Sequence, residues 1–444
     1  MYIDKEIAVL RAAPPGAAVQ DDDALFRRIS WRLMPLLFIC YLVNYLDRTN
    51  VGYAQLQMRE VMAFSDAVFG LGAAAFFAGY MLFEIPSNIL LQRIGAKRTM
   101  LRIMVLWGLA SACTMFVATP TQFYAVRFLV GVFEAGFAPG VLYYLTLWFP
   151  PERRARANAL FLMGFGFAPI VAGPIAGSVM TWMHGLGGLQ GWQWLFLIEG
   201  VPSVLLGIFA WYWLDDRPAD ARWLTPAQRE RVRTVLRQEP TAAAGARRHW
   251  SAGLRQARAW GLGWIGFLTI LGVYALAFWQ PTLLKGLGLS LFQVGMAAVL
   301  PALAGAAAAL WLGGRSDRHR ERRGHYAMAA LLGAGGLTLT ALMTHELAAV
   351  LLGLSLASAG LSAAVTIMWA GAGDVLPPEG LAAGIALITT CSSLSGVAAP
   401  LLVAAVRGAT GGFTVSLLIL AGALVLAAVS MYLVLPSHTP ARKP

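Results

Sequence analysis

Twelve apolar segments, most of them close to 20 residues long, follow one another along this chain and decide what it can fold into. A helix needs about 20 apolar residues to cross about 30 Å of hydrocarbon. Backbone groups in lipid must be satisfied within the segment, so the segments are predicted as helices. Their predicted positions are 33–55, 67–91, 100–118, 121–147, 155–181, 193–214, 260–285, 291–313, 325–343, 346–372, 380–405 and 412–436.

The low charge content supports this interpretation. Only 13% of the residues are charged, whereas soluble domains carry about a quarter. The sequence therefore predicts an all-α membrane protein with twelve transmembrane helices, and it excludes an ordinary soluble enzyme.

Positive charges concentrate in the loops on one side of the predicted bilayer. These loops carry Arg93, Lys97, Arg98, Arg153, Arg154, Arg156, Arg315, Arg318, Arg320, Arg322 and Arg323. The opposite loops have few, the clear cases being Arg59, Lys285 and Arg407. Cytoplasmic loops are enriched in Lys and Arg, so both termini are predicted in the cytoplasm. This placement explains the net charge of +12 without nucleic acid as a partner.

A polar segment at residues 215–259 separates six apolar segments from six. The predicted organisation is an N-terminal tail at 1–27, a six-helix bundle at 28–214, this cytoplasmic linker at 215–259, a second six-helix bundle at 260–436 and a tail at 437–444. Within the linker, TPAQRERVRTVLRQE is typical of a surface helix with Thr225 as its N-cap. We expect a solvated helix; contact with anionic headgroups is the alternative.

The two halves also resemble each other in sequence after their second segment. NILLQRIGAKR follows segment 2, and GGRSDRHRERR follows segment 8. Aligned, they place Gln92 on Asp317 and Arg93 on Arg318. A repeat of six plus six helices is typical of secondary transporters whose site lies between the halves near the membrane midplane.

Charged residues inside predicted spans are rare and mostly functional. Here they lie in the first half, at Asp47, Arg48, Glu84, Arg127, Glu134 and Glu199. The helical rise places Asp47 about 12 Å and Arg127 about 9 Å from the same boundary. Glu134 lies two turns beyond Arg127 on the same face.

These depths predict a network of two acids and two arginines. We expect Asp47 to face Arg127, with Glu134 as a proton carrier and an unpaired Arg48 as an anion anchor. A buried ion pair that only locks two helices is the alternative for Asp47 and Arg127. Glu84 is predicted to make a structural contact, and Glu199 to be interfacial or capping.

Other kinds of chemistry have little support in the sequence. The three cysteines have no metal-ligand spacing, and the histidines lie in or beside loops. The phosphate-binding pattern GxxxxGK[ST] and a nucleophile–base pair are both absent, so neither ATP use nor enzymatic activity is predicted.

Several motifs resemble the anion:cation symporter family of the major facilitator superfamily. They are YLDRTNVGYAQLQM, GYMLFEIPSNILLQRIGAKR, RFLVGVFEAGFAPGVLYYLTLWFPPERRARA, WQWLFLIEGVPS, ARWLTPAQRE and FWQPTLLK. The resemblance covers nearly the whole chain from about residue 28. It implies a multi-pass protein of the bacterial inner membrane that couples uptake of an organic anion to protons.

The resemblance also implies roles for individual residues. Asp47 and Glu134 match the protonatable acids of the family, Arg48 the arginine that holds the substrate carboxylate, and Arg127 the arginine that couples proton and substrate. Tyr45 and Tyr80 match tyrosines that face the cavity; ordinary aromatic packing is the alternative.

The second half departs from the sugar-acid members. In GIALITTCSSLSG, Thr389 and Ser393 stand where those members have asparagines, and hydroxyls make fewer hydrogen bonds than amides. Trp279, Gln280 and Trp369 are predicted to add an aromatic wall, with lipid contact or packing as the alternative. The predicted substrate is therefore a tartrate-like dicarboxylate or an aromatic acid in preference to a sugar acid. The motif YLDRTNVGYAQLQM looks most like members labelled as tartrate transporters.

A second departure concerns the predicted gate. The superfamily usually has an acid where this chain has Gln92, beside Arg93, and that acid helps to latch the halves together. The matching acid of the second half, Asp317, is present beside Arg318. We therefore expect a weaker latch in the first half.

The sequence thus predicts a proton-coupled symporter for a small organic anion, with no cofactor besides protons and with activity as a monomer. An exchanger or uniporter of organic anions is the alternative within transport. A membrane sensor that kept the transporter fold and signals through its linker is a more remote one.

Overall fold

The computed structural model describes residues 15–237, 256–376 and 381–435, with only the backbone described for 15–21 and 381–382. The prediction of twelve membrane-spanning helices is confirmed within these residues. We number them spans 1 to 12: Asp22–Met62, Asp66–Ile94, Ala96–Phe116, Pro120–Thr146, Pro151–Trp182, Gly191–Trp213, Ala257–Lys285, Leu291–His319, Arg323–Leu342, Leu347–Val375, Ala383–Thr410 and Thr414–Val434.

The helices pack in the same pattern in each half. Span 1 packs against spans 5 and 6, span 2 against span 4, and span 3 against spans 4 and 6. In the second half, span 7 packs against spans 11 and 12, span 8 against span 10, and span 9 against spans 10 and 12. Each contact of the first half thus recurs six spans later, as a sequence repeat requires.

An even number of spans places both ends of the described chain on one side, which we call the terminal face. The other side is the opposite face. The halves meet at the opposite face through spans 1 and 7, 2 and 11, and 5 and 8. Gly70 lies against Pro400 and Ala404, and Gly173 lies against Gly295. Side chains larger than hydrogen would keep these helices apart, so the glycines permit a tight seal.

Span 4 is broken where the sequence predicts one continuous helix. Its first part ends at Glu134, and a second helix begins at Phe137. Gly136 between them has φ of 86°, a left-handed conformation that glycine adopts at little cost. The break lies directly after Glu134, so this acid is the last residue of a helix that ends inside the bundle.

The surface helix predicted after Thr225 is present at Pro226–Arg237, and Thr225 caps it by accepting a hydrogen bond from the Gln228 backbone. It does not stand free in solvent. Val232 is fully buried, and Arg231 forms an ion pair with Asp22 at 2.7 Å. The helix therefore packs on the terminal face of the first half. Linker residues 238–255 lie outside the described part.

Candidate functional site

Arg48 and Glu134 form an ion pair between spans 1 and 4. Arg48 Nε donates to Glu134 Oε1 at 3.1 Å, and Nη2 donates to the same oxygen. Glu134 is fully buried, and its Oε2 has no hydrogen-bond partner among the residues that the structure describes. Arg48 keeps 15% of its side chain exposed. The expectation of an unpaired Arg48 is therefore wrong for this conformation, because the relative rotation of spans 1 and 4 places the Glu134 carboxylate beside the guanidinium.

Asp47 faces the interior of the first half. Its carboxylate accepts hydrogen bonds from Trp107 Nε1 at 3.0 Å, from Asn50 Nδ2 at 3.1 Å and from the Ser111 hydroxyl. Trp107 and Ser111 belong to span 3, so three donors hold the acid between spans 1 and 3. Adjacent helical residues point about 100° apart, and accordingly Asp47 and Arg48 address different partners.

Arg127 is fully buried, and its Nε and Nη2 have no hydrogen-bond partner in the described part of the chain. The guanidinium interacts electrostatically with both Asp47 and Glu134, but among the described residues it forms a salt bridge with neither. Its nearest ring is Phe76, whose centroid lies 5.0 Å from Arg127 Cζ and 5.4 Å from Arg48 Cζ. The predicted direct Asp47–Arg127 pair is thus replaced by a looser arrangement, with one phenyl ring near both cations.

Three further side chains interact with Arg48. The Tyr80 ring centroid lies 5.1 Å from Arg48 Cζ. Tyr274 of span 7 also interacts with Arg48. A residue of the second half therefore lies beside the Arg48–Glu134 ion pair. Glu84 interacts with Arg48 as well, although the sequence suggested only a structural contact. Glu84 lies four residues after Tyr80, on the same helix face.

Tyr45 is buried, and its ring packs edge-on against Phe165 with centroids 4.5 Å apart. Trp369 is partly buried and packs against the core of the second half. On span 11 the Thr389 hydroxyl donates to the Ile385 carbonyl at 2.9 Å, so it offers a ligand its oxygen lone pairs. Ser393 lies one turn further along span 11 and is partly exposed.

Trp279 and Gln280 lie apart from the Arg48 cluster. Trp279 is buried and packs edge-on against Phe413 with centroids 6.1 Å apart. It lies five residues beyond Tyr274, about 7.5 Å nearer the opposite face. Gln280 lines a small cavity with Leu276 and Leu283. The predicted wall for Trp279 and Gln280 beside the substrate anchor is therefore corrected: both residues lie near the seal between the halves.

Within the described ranges, no hydrogen bond or ion pair links the predicted gate residues of one half to the other half. Gln92 and Arg93 are exposed. Asp317 pairs with Arg322 of its own half, and Arg322 Nε also donates to Asp374 Oδ2 at 3.0 Å. Arg318 is exposed beside them. The closed seal lies at the opposite face, and these residues lie at the other ends of their spans.

Glu199 is the buried acid that sequence reasoning misjudged. It is 5% exposed, its Oε2 has no hydrogen-bond partner, and its nearest polar neighbours include Asn50 and Asp47. Glu199 is eight residues from the start of span 6 at Gly191, about 12 Å into the membrane. The prediction of an interfacial or capping position is therefore wrong, because the helical rise along span 6 places Glu199 inside the membrane.

The described residues thus combine a reachable arginine, a buried carboxylate bonded to it, and a second acid held by neutral donors. Such a group can exchange one carboxylate for another at Arg48, and it can store protons on two separate acids. The described part of the chain contains no group of three or more His, Cys, Asp or Glu side chains placed to bind a metal.

Comparison with known proteins identifies the family. The model for the Major Facilitator Superfamily matches residues 37–400 and 262–444. The provisionally named metabolite transport protein NicT of Pseudomonas putida is 42% identical over 91% of this chain and 92% of its own length. A provisionally named tartrate transporter of Agrobacterium vitis is 38% identical over 96% of this chain and 94% of its own length.

Solved structures agree on the fold. The D-xylose-proton symporter superposes with a TM-score of 0.72 at 15% identity, over 93% of this chain and 99% of its own. A bacterial homologue of the human lysosomal transporter Spinster, in an inward-facing and unoccupied conformation, gives 0.70 at 18% identity, over 91% and 95% of the two chains. At these identities the likeness concerns the fold alone.

Proposed function

Because the chain belongs to the Major Facilitator Superfamily of transporters, we propose that it imports a small organic anion together with protons by alternating access. The observation that carries this proposal is the Arg48–Glu134 pair, in which a partly exposed guanidinium is bonded to a buried carboxylate. A substrate carboxylate that reaches Arg48 competes with Glu134 for the same donors.

This competition links the proton to the anion. When Glu134 binds a proton, its charge is lost and its hold on Arg48 weakens. Arg48 is then free to donate both N–H groups to the substrate carboxylate, a geometry that guanidinium forks favour. Each ligand therefore raises the affinity for the other, as coupled uptake requires. Asp47, held by three donors and near Arg127, is proposed as the second proton site.

The orientation follows from the loops. Basic residues of the terminal face support a cytoplasmic position for that face, so the chain is proposed to lie in a bacterial inner membrane with its seal towards the outside. Relatives named as tartrate transporters support a dicarboxylate as substrate. The aromatic residues near Arg48 support an aromatic acid, and a sugar acid completes the panel to be tested.

We propose that a monomer suffices for transport, because Arg48, Glu134, Asp47 and Arg127 all come from one chain.

The first experiment identifies the substrate. Purified protein is heated with a panel of carboxylates that includes tartrate, gluconate and benzoate, because a ligand that binds the native state raises Tm. The carboxylate with the largest shift is then used in proteoliposomes. A panel that leaves Tm unchanged would contradict the proposed substrate class.

The second experiment tests coupling with Glu134→Gln, in which an amide replaces the proton-binding acid. We expect the variant to bind and exchange the anion but to lose accumulation driven by a pH gradient. Glu60→Gln is the matched control, since Glu60 is exposed on the opposite face. Undiminished gradient-driven accumulation in Glu134→Gln would exclude this role. Exchange without any proton response in the unmodified protein would favour an exchanger.

A further inference from the structure

Asp66 joins the two halves at the opposite face through two arginines. It lies in the first turn of span 2. Arg59, in the last turn of span 1, pairs with its Oδ1, and Arg407 of span 11 donates to the same oxygen at 2.7 Å. Arg59 and Asp66 belong to the first half and Arg407 to the second. The Asp66–Arg407 bond therefore has to break whenever the halves part at this face.

Arg407 also has aromatic neighbours. Its Cζ lies 4.5 Å from the Phe413 ring centroid and 5.9 Å from that of Trp279. All three residues belong to the second half, so they stay together when the halves separate. Phe413 and Trp279 pack edge-on, which fixes the two rings around the guanidinium. In such a group the arginine can bind a carboxylate, and the two rings offer apolar surface to the rest of the ligand.

The cluster formed by Asp66, Arg59 and Arg407 has more positive than negative charge. Two guanidinium groups share one carboxylate, and the Asp66 side chain is only 16% exposed. When the second half moves away, Asp66 keeps Arg59, its neighbour in the same half. Arg407 then loses its carboxylate and becomes an unpaired cation at the open mouth. An anion from solution is the natural replacement.

We propose that Arg407, with Phe413 and Trp279, is the first binding site for the carboxylate of the transported anion at the opposite face. In the closed form described here, Asp66 fills this site as an internal substitute for the ligand. This proposal rests on the proposed function in one respect, the anionic substrate. An arriving carboxylate takes the place of Asp66 at Arg407, and that exchange favours the open form before the anion moves on to Arg48.

The latch is tested with Asp66→Asn in a variant whose three native cysteines are replaced by serine. Ala404→Cys supplies the reporter, because Ala404 is 5% exposed and packs against Gly70 in the seal. A membrane-impermeant maleimide should label the reporter several-fold faster in Asp66→Asn. Glu60→Gln removes the same charge from the same face and should leave labelling unchanged. Equal labelling of the Asp66→Asn and Glu60→Gln variants would overturn the latch.

The binding site is tested with benzoate and its neutral analogue benzamide. Phenylglyoxal modifies accessible arginines, and peptide mass spectrometry measures the modification of Arg407 in Asp66→Asn. Benzoate should protect Arg407, and benzamide should not. No protection, or equal protection by both compounds, would overturn the site. Neither measurement requires transport or a proton gradient, so both give an answer even if Glu134 has no role in coupling.

Discussion

At the scale of single residues, the proposed role of Arg48 in binding the anion depends on the shape of its guanidinium as well as on its charge. Both Nε and Nη2 reach one oxygen of Glu134, and lysine cannot reproduce this fork. Arg48→Lys should raise KM for the anion by about tenfold to a hundredfold, which corresponds to one hydrogen bond with a charged group, about 1.5–3 kcal/mol. Initial uptake rates at varied anion concentration measure the change.

Arg98→Lys is the matched control, since Arg98 is exposed in the first turn of span 3 at the terminal face and should tolerate the exchange. If Arg48→Lys and Arg98→Lys give the same KM as the unmodified protein, Arg48 does not hold the carboxylate. A change in kcat alone would also contradict the assignment, because it would leave the binding of the anion unaffected.

The sequence predicts the members of the polar cluster but misses their pairing. Asp47, Arg48, Arg127 and Glu134 are visible because charges in apolar spans are rare. Helical rise gives the depth of each, but it does not give the rotation of one helix against another. That rotation is why the pairing of Glu134 with Arg48 could not be predicted. Tyr274 carries no comparable signal, because it is one aromatic residue among many in an apolar span.

At the scale of elements, Glu321 connects span 8 to span 9 and caps the latter. Burial alone would raise the pKa of its carboxyl. Hydrogen bonds from the Gly324 and His325 backbone and from His325 Nδ1 outweigh it, and they lower the pKa below its ordinary value of 4.5. A group with a lowered pKa in the folded state stabilises it above that ordinary value, and the contribution disappears as the pH falls.

Glu321→Gln should therefore destabilise the protein by about 1 kcal/mol at neutral pH, the usual value of a helix cap. The difference in Tm from the unmodified protein should shrink as the pH falls below 4.5. Glu346→Gln is the control, because Glu346 stands at the start of span 10 without a side-chain cap bond. A Tm difference that is constant between neutral and acidic pH would contradict the capping role.

The spans themselves could be predicted from length and apolar content, because the bilayer imposes both. The break in span 4 could not, since Gly131, Gly136 and Gly140 look alike in an apolar sequence. Only the packed helix shows that Gly136 has the positive φ and that the other two continue their helices. The partners of the linker helix could not be predicted from the sequence either, because the ion pair between Arg231 and Asp22 joins residues 209 positions apart.

At the scale of the whole molecule, the contacts of the halves are unequal at the two faces. Spans 5 and 8 meet so closely that a Cβ at Gly295 would overlap the Gly173 carbonyl oxygen, and a Cβ at Gly173 the Gly295 oxygen. At the terminal face, Gln92 and Arg93 remain exposed. Alternating access requires the seal at the opposite face to open and close in each cycle, so a block there should trap one conformation.

Gly295→Leu supplies such a block. The isobutyl group leaves no room for spans 5 and 8 to close, so the protein should remain open at the opposite face. We expect uptake to be lost, while the Tm shift produced by the anion persists and the Ala404→Cys thiol is labelled rapidly. Gly408→Leu is the control, because Gly408 has open space at its Cβ position. Uptake at the normal rate in Gly295→Leu would show that this contact does not have to form in the cycle.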